Sequence, residues 1–300
     1  MHDRRRAGQA YFALVVLTLL WGYSWIPMKI ATRDASPFVV ATVRSMLGAG
    51  SLLAFAALSG RSVRPPPFLP TLVLGLLQTA LYTLVSTAAV HLGGAGNTAV
   101  LVYTMPFWLA LLAWPILGQP IRGGRWAALL LAAVGLGLIV GPSRGGAATA
   151  RLIAVLAGMI WATSAVFALR LQMTQRFELL SLTAWQMVWG SLAMTPVTLL
   201  WHGPFRLTTS FAVSIAFLGV ASSAVGWALW LFILSRLPAS VAGVASLGTP
   251  VVSVVSASLQ LREIPSRDEL LGIACVLLAL IVNWRATAGS PRRRGDGKDG

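Results

Sequence analysis

Ten apolar runs, near residues 10–31, 37–59, 69–90, 95–117, 125–141, 152–170, 180–201, 211–235, 239–261 and 269–286, leave almost no chain for anything else. A membrane-spanning helix takes roughly 20 residues, so each run is long enough, or nearly so, to cross a bilayer. None alternates with period two, which excludes barrel strands and leaves helices. Breakers stand where the runs end: Ser36-Pro37, Pro65-Pro66-Pro67, Gly93-Gly94, Gly123-Gly124, Gly141-Pro142, Gly203-Pro204 and Pro238. Hydrophobic residues make up 57% of the chain and charged ones 10%. A soluble domain carries about a quarter charged residues. The sequence therefore predicts an all-α polytopic membrane protein with ten transmembrane helices, and no room for a soluble catalytic domain.

The charge of +15 would suggest nucleic acid in a soluble chain. Here the basic residues, nearly all arginine, lie between the runs and in the tails, as orienting charges do. With ten spans and both termini on one side, fifteen Lys and Arg fall on that side and seven on the other. The bias predicts cytoplasmic N- and C-termini in a bacterial inner membrane. Arg4-Arg5-Arg6 ahead of the first run resembles the start of a signal peptide. The run is too long, however, and Trp21, Trp25 and Lys29 follow instead of a cleavage site, which predicts an uncleaved first helix. The expected organisation is a tail at 1–9, five-helix units at 10–142 and 143–287, and a disordered tail at 288–300.

The two units read as a repeat. At an offset of 144, Leu74-Gly75 meets Leu218-Gly219, Ala80 meets Ala224, Pro106 meets Pro250, Leu117 meets Leu261 and Gln119 meets Glu263. At 140, Trp21 and Ser24 meet Trp161 and Ser164; at 142, Gly48 meets Gly190. An odd number of spans per unit reverses the second relative to the first. Such inverted repeats are a recurring build of secondary transporters, with the solute site near the midplane where the units meet.

Several residues stand out against the apolar background. Gln78, Tyr82 and Ser86 form an i, i+4, i+8 stripe that faces protein or water rather than lipid. It is either interhelical hydrogen bonding, worth about 0.6 kcal/mol per bond, or the wall of a cavity. Arg44 lies eight residues into the second run. It is open to a structural pairing, a carbonyl-capping role, recognition of a solute carboxylate, or a gate contact. Lys29, near the end of the first run, is a gate residue or a snorkelling one. Twelve tryptophans are many for this length. Trp114, Trp126, Trp201 and Trp284 read as interfacial anchors. Of the deeper Trp21, Trp25, Tyr103, Trp108, Trp161, Trp185, Trp189 and Trp227, packing against lipid or neighbours explains most. A few, with Tyr103, Trp161 and Trp185 as candidates, are expected to line an aromatic cavity suited to flat apolar solutes. Ser164 and Ser246 are further candidates for the solute path, and the related pair Pro106 and Pro250 for a hinge.

There is no Ser/His/Asp set, no paired carboxylate and no phosphate-binding loop. His2, His91 and His202 are far apart and Cys275 is the single cysteine, so no metal site, cofactor or catalytic residue is expected. The expected partners are a small-molecule solute and the lipid bilayer, with no nucleic acid, and the chain is expected as a monomer or weak dimer.

Trp21-Gly22-x-Ser24-Trp25 through Lys29, Arg44, Thr104-Met105-Pro106 through Gly118-Gln119, and Gly248-Thr249-Pro250 through Arg262-Glu263 together resemble the EamA group of the drug/metabolite transporter superfamily, over about residues 8 to 286. Arg262 stands where that family usually has Gly, and Gln119 where Glu is common. The aromatic profile is similar to the YddG-type aromatic amino-acid exporters. The resemblance implies export of amino acids, aromatic ones first, by alternating access. A multidrug exporter of lipophilic solutes is the rival within transport, and an intramembrane scaffold or lipid-modifying enzyme the rival outside it.

Overall fold

The computed structural model describes residues 2–140, 146–174, 178–234, 236 and 244–288, with the side chains of 2–7, 146–147, 231, 234, 244–247 and 287–288 outside that description. The described residues form ten helices. These are α1 (His2–Tyr23 continued by Trp25–Asp34), α2 (Pro37–Leu58), α3 (Phe68–Leu74, Gly75–Leu81 and Tyr82–Leu92), α4 (Ala95–Val102 and Met105–Leu117) and α5 (Gly124–Val140). There follow α6 (Gly146–Thr174), α7 (Leu179–Leu200), α8 (Thr209–Ala216, Phe217–Val225 and Gly226–Leu234), α9 (Val244–Ser256 and Ala257–Leu261) and α10 (Arg267–Ala288). Seven are long and apolar enough to span a membrane by length and composition, while Gly124–Val140 and Gly248–Leu261 are apolar but shorter. The helix Leu179–Leu200 has the length and carries Thr183, Trp185, Gln186, Trp189 and Ser191, because it packs between the two halves. The breakers Pro142 and Pro238, the arginines of the N-terminal tail and the tail from 289 onward lie outside the described residues or side chains.

Phe12, Leu130, Val213 and Leu259 are 71, 67, 65 and 77% exposed. A soluble monomer does not display such an apolar surface on every side; a bilayer supplies its solvent. The chain is a multi-pass membrane protein.

Contacts between helix ends sort them into two faces. One face carries the start of α1, the α2–α3 connection and the start of α7, where the Ser181 hydroxyl donates to the Arg64 carbonyl (2.6 Å). The other carries the end of α1 and the α7–α8 connection, where the Arg206 amide donates to the Asp34 carbonyl (2.9 Å). We call these the N-terminal and the distal face.

The packing maps onto itself when α1–α5 are exchanged with α6–α10. Helix α1 packs on α8 and α9 as α6 packs on α3 and α4; α2 packs on α8 as α7 packs on α3; the pairs α2–α7, α4–α9 and α5–α10 map onto themselves. Local features repeat too. The π-helical segments Gly75–Leu81 and Phe217–Val225 overlap at the 144 offset. Gly118 (φ 64°) and Arg262 (φ 56°) end α4 and α9 in the same left-handed conformation. Arg262 thus holds a backbone position that suits glycine, which is the structural meaning of the Gly-to-Arg departure seen in the sequence.

Backbone contact between the halves is set by glycine. A Cβ on Gly190 would stand 2.5 Å from the Gly75 carbonyl oxygen, and one on Gly75 2.6 Å from that of Gln186. A Cβ on the related Gly48 or Gly219 would stand 2.9 Å from the Ser223 or 2.8 Å from the Leu47 side chain. Small residues permit this approach in a membrane, where packing rather than water expulsion joins helices. The fold is two inverted five-helix repeats.

Candidate functional site

A central cavity of about 150 Å³ opens where the repeats meet. Helix α1 contributes Trp21, Ser24, Trp25 and Met28; α2, Arg44; α3, Tyr82 and Ser86; α4, Val102, Tyr103 and Met105; α6, Trp161; and α8, Ser222, Ser223 and Trp227. Two helices are interrupted at this level. Pro27 has no N–H for the Tyr23 carbonyl, and α1 breaks at Ser24; Pro106 has none for the Val102 carbonyl, and α4 breaks at Tyr103–Thr104. Interrupted backbone at membrane depth is tolerated where it lines a cavity. The related Pro250 leaves no such break, since Val244–Ser256 runs through it. The two prolines of the expected hinge therefore act on the backbone differently.

The walls are aromatic and mutually braced. The Trp21 Nε1 donates to the Ser222 carbonyl (3.1 Å) in the π-segment of α8. Its ring meets Trp227 edge-on at 6.0 Å and Trp230 at 5.8 Å. The Tyr103 hydroxyl pairs with Thr249 across the repeat boundary. Ser24 donates to the Trp21 carbonyl (2.7 Å), Ser86 to Thr83 (3.1 Å) and Ser223 to Leu218 (2.9 Å). Those three hydroxyl protons are thus committed to their own helices.

Trp161 and Trp227 also line a second cavity of about 310 Å³, which runs toward the N-terminal face past Ala165, Ala168, Leu169, Gln172 and Leu179. Gln78 lies in this vestibule, its amide oxygen accepting from Gln186 Nε2 at 3.0 Å. The sequence stripe is therefore split. Gln78 lies nearer the N-terminal face and lines the vestibule, while Tyr82 and Ser86, further along α3, line the central cavity. Its two readings, interhelical bonding and cavity wall, both describe Gln78.

Toward the distal face the path is blocked. Trp25 and Met28 are 4 and 3% exposed. Lys29 Nζ donates to the carbonyls of Val90 (2.8 Å), His91 (3.0 Å) and Gly93, closing the C-terminal end of α3. The Glu263 carboxylate accepts from the Gly96 amide (3.1 Å). Glu269 pairs with Arg151 and accepts from Asn97 (2.7 Å), tying α10 to α6 and α4. Asp34 accepts from Thr208 (2.6 Å) and Ser210 (3.1 Å) and pairs with Arg206 (3.3 Å).

Of the residues singled out in the sequence, Tyr82, Tyr103, Trp161 and Arg44 come together in the central cavity. Gln78 stands in the adjoining vestibule. Ser164 is fully buried and back-bonds to the Trp161 carbonyl (2.7 Å), behind the wall rather than on it. Trp185 is elsewhere: its Nε1 donates to the Val63 carbonyl (2.9 Å) at the N-terminal face, and its ring lies against Trp189. The side chain of Ser246 lies outside the described residues. Met28 and Met105 line the cavity from within stretches that carried the resemblance but were not themselves singled out for the site, and neither was Ser223. The position of Gln186 was available, because the 142 offset that joins Gly48 to Gly190 also joins Arg44 to Gln186.

Comparison with known proteins agrees with this geometry. The chain is 25% identical over 278 residues to the uncharacterized transporter YoaV of Bacillus subtilis, covering 90% of this chain and 94% of that one. It is 23% identical over 289 residues to an Escherichia coli protein described as a "probable amino-acid metabolite efflux pump", covering 90 and 95%. A solved crystal structure shares the fold with a TM-score of 0.67 over 92% of this chain and 96% of its own, at 17% identity. The profile of the EamA-like transporter family matches twice, over residues 8–141 and 148–285, once in each half. The chain is a transporter, not an enzyme, and belongs to the EamA-like transporter family.

Proposed function

We propose that this transporter exports amino acids with aromatic or hydrophobic side chains across the bacterial inner membrane by alternating access, with both termini in the cytoplasm. The observation that carries this reading is the aromatic central cavity, continuous through Trp161 and Trp227 with a vestibule on the N-terminal face and blocked toward the distal face. A solute enters from the cytoplasm past Gln78 and Gln186 and lies among Trp21, Trp25, Tyr82, Tyr103 and Trp161. Rocking of the units 10–142 and 143–287 then parts the distal contacts of Lys29, Glu263 and Glu269. The charge bias of the sequence supports the orientation. The amino-acid efflux descriptions of the Escherichia coli and Salmonella typhimurium relatives support the solute class.

The multidrug alternative requires a buried anion to offset a lipophilic cation. No carboxylate lines the central cavity among the described residues, whereas Arg44 does. The same absence argues against tight proton coupling, which takes a titrating group in the pathway. Efflux of a radiolabelled amino-acid panel from proteoliposomes tests the reading, with phenylalanine, tryptophan and tyrosine moving fastest and continuing after the proton gradient is collapsed. Selective transport of lipophilic cations would overturn the solute class. Strict dependence on an imposed pH gradient, abolished by Glu263→Gln, would overturn the coupling.

A further inference from the structure

Arg44 is the one described charge that lines the central cavity, and every described carboxylate is accounted for away from it. Asp34 is held by Thr208, Ser210 and Arg206 at the distal face. Glu263 accepts from Gly96, and Glu269 from Arg151, Asn97 and the Ser266 amide. Glu178 and Asp268 are exposed at the starts of α7 and α10. The neighbours of Arg44 along α2 offer nothing either: Thr42 shares a hydrogen bond with Thr198 (2.7 Å) and turns toward α7. The side chains that line its cavity are aromatic, aliphatic, thioether or hydroxyl groups, and none of those described is a counter-ion. A guanidinium at membrane depth without an anion costs several kcal/mol, and this protein keeps it at the junction of its repeats. At the related position the second repeat has the neutral Gln186, already paired with Gln78.

We propose that Arg44 makes the central cavity a site for aromatic monocarboxylates, recognising the carboxylate of the solute and not its ammonium. The proposal rests on the central cavity being the transport site. A guanidinium offers paired donors to a carboxylate, with the Tyr82 hydroxyl beside it. For an ammonium the cavity offers the lone pairs of Ser24, Ser86 and Ser223, whose protons are spent on their own helices, and the faces of its aromatic rings, but no anion to set against the guanidinium. A bound zwitterion leaves the occupied cavity at net +1, with its ammonium repelled by the guanidinium. A bound carboxylate monoanion leaves it neutral. The deaminated acid is therefore preferred to the amino acid with the same side chain, and the corresponding amine is rejected.

Three ligands of one aryl-ethyl skeleton separate these contributions: 3-phenylpropionate, L-phenylalanine and 2-phenylethylamine, titrated calorimetrically into the purified full-length protein in detergent. The expected order is propionate at least as tight as phenylalanine, and phenylethylamine weaker than either by about tenfold or more. Arg44→Met loses the affinity for both carboxylates by at least about tenfold, while Arg44→Lys keeps part of it. Because no ion pair is broken, the melting temperature of Arg44→Met is no lower than that of the parent protein, which separates lost recognition from lost fold. Phenylalanine binding without phenylpropionate binding overturns the proposal and leaves the exporter reading standing. Equal affinity for phenylethylamine, or unchanged affinity in a folded Arg44→Met protein, overturns it as well. Failure of all three ligands to bind the parent protein overturns both readings.

Discussion

Trp25 and Met28 on α1 and Ala165 and Ala168 on α6 occupy related positions at the 140 offset, one pair on the distal half of the path and the other on the N-terminal half. Parts of the backbone repeat, among them the π-segments in α3 and α8 and the left-handed ends of α4 and α9, but α1 breaks at Ser24 where α6 runs unbroken. The side chains differ as well. Two large residues fill the distal side, and two alanines leave room for the vestibule. Arg44 and Gln186 differ in the same sense, charge facing one cavity and a paired amide the other. Inverted repeats supply a related scaffold on both sides of the cavity; departures from symmetry, in the helix breaks and in a handful of side chains, leave room toward one face and fill the other.

Transplanting one repeat into the other breaks this comparison most severely. The double change Ala165→Trp with Ala168→Met rebuilds the distal plug inside the vestibule. Transport in proteoliposomes is expected to fall by roughly two orders of magnitude, the scale of a blocked approach, in a protein that still elutes as a folded species. Near-normal flux would mean that solute does not pass along α6.

The shared scaffold is tested through its glycines. Gly190→Ala drives a methyl group against the Gly75 carbonyl and costs about 1–3 kcal/mol, read as a lowered melting temperature. Gly137, with nothing within 4 Å of its Cβ position, tolerates the same change. It gains up to about 1 kcal/mol from helix propensity. A similar response at both sites would remove the argument that close backbone approach joins the halves.

Smaller effects are expected on the cavity wall. Tyr82→Ala and Trp161→Ala reduce transport by about five- to tenfold, close to the loss of one aromatic contact. Trp284→Ala, far along α10, has little effect. Equal, mild losses at all three positions would reduce the aromatic wall to packing. The smallest change is Arg262→Gly, which relieves a left-handed residue and stabilises by about 1 kcal/mol or less, visible in the melting temperature and not in flux.

The number and order of the helices were legible because lipid demands long apolar runs, and the breakers Ser36-Pro37 and Gly93-Gly94 do end helices. The repeat was legible from Gly75 and Gly219, Pro106 and Pro250, and Leu117 and Leu261. The π-segments were not. Two of them contain Gly75 and Gly219, where another helix comes close, and a third, Ala257–Leu261, contains no glycine; hydropathy carries no mark of any of them. The polar stripe of Gln78, Tyr82 and Ser86 was legible, but not that it passes from one cavity into the next along α3. The place of Trp185 was not legible either: depth along a helix does not specify azimuth, and its indole turns to the Val63 carbonyl and not into the central cavity.

The most direct test of the asymmetric path uses single cysteines at the two related positions, in a background where Cys275 is replaced by Ser. Met28→Cys and Ala168→Cys are each exposed to a membrane-impermeant thiol reagent in right-side-out and inside-out vesicles. With the N-terminal face cytoplasmic and open, Ala168→Cys reacts in inside-out vesicles alone, and Met28→Cys reacts slowly in both. Equal reactivity at the two positions, or labelling of Met28→Cys in preference to Ala168→Cys, would contradict the account.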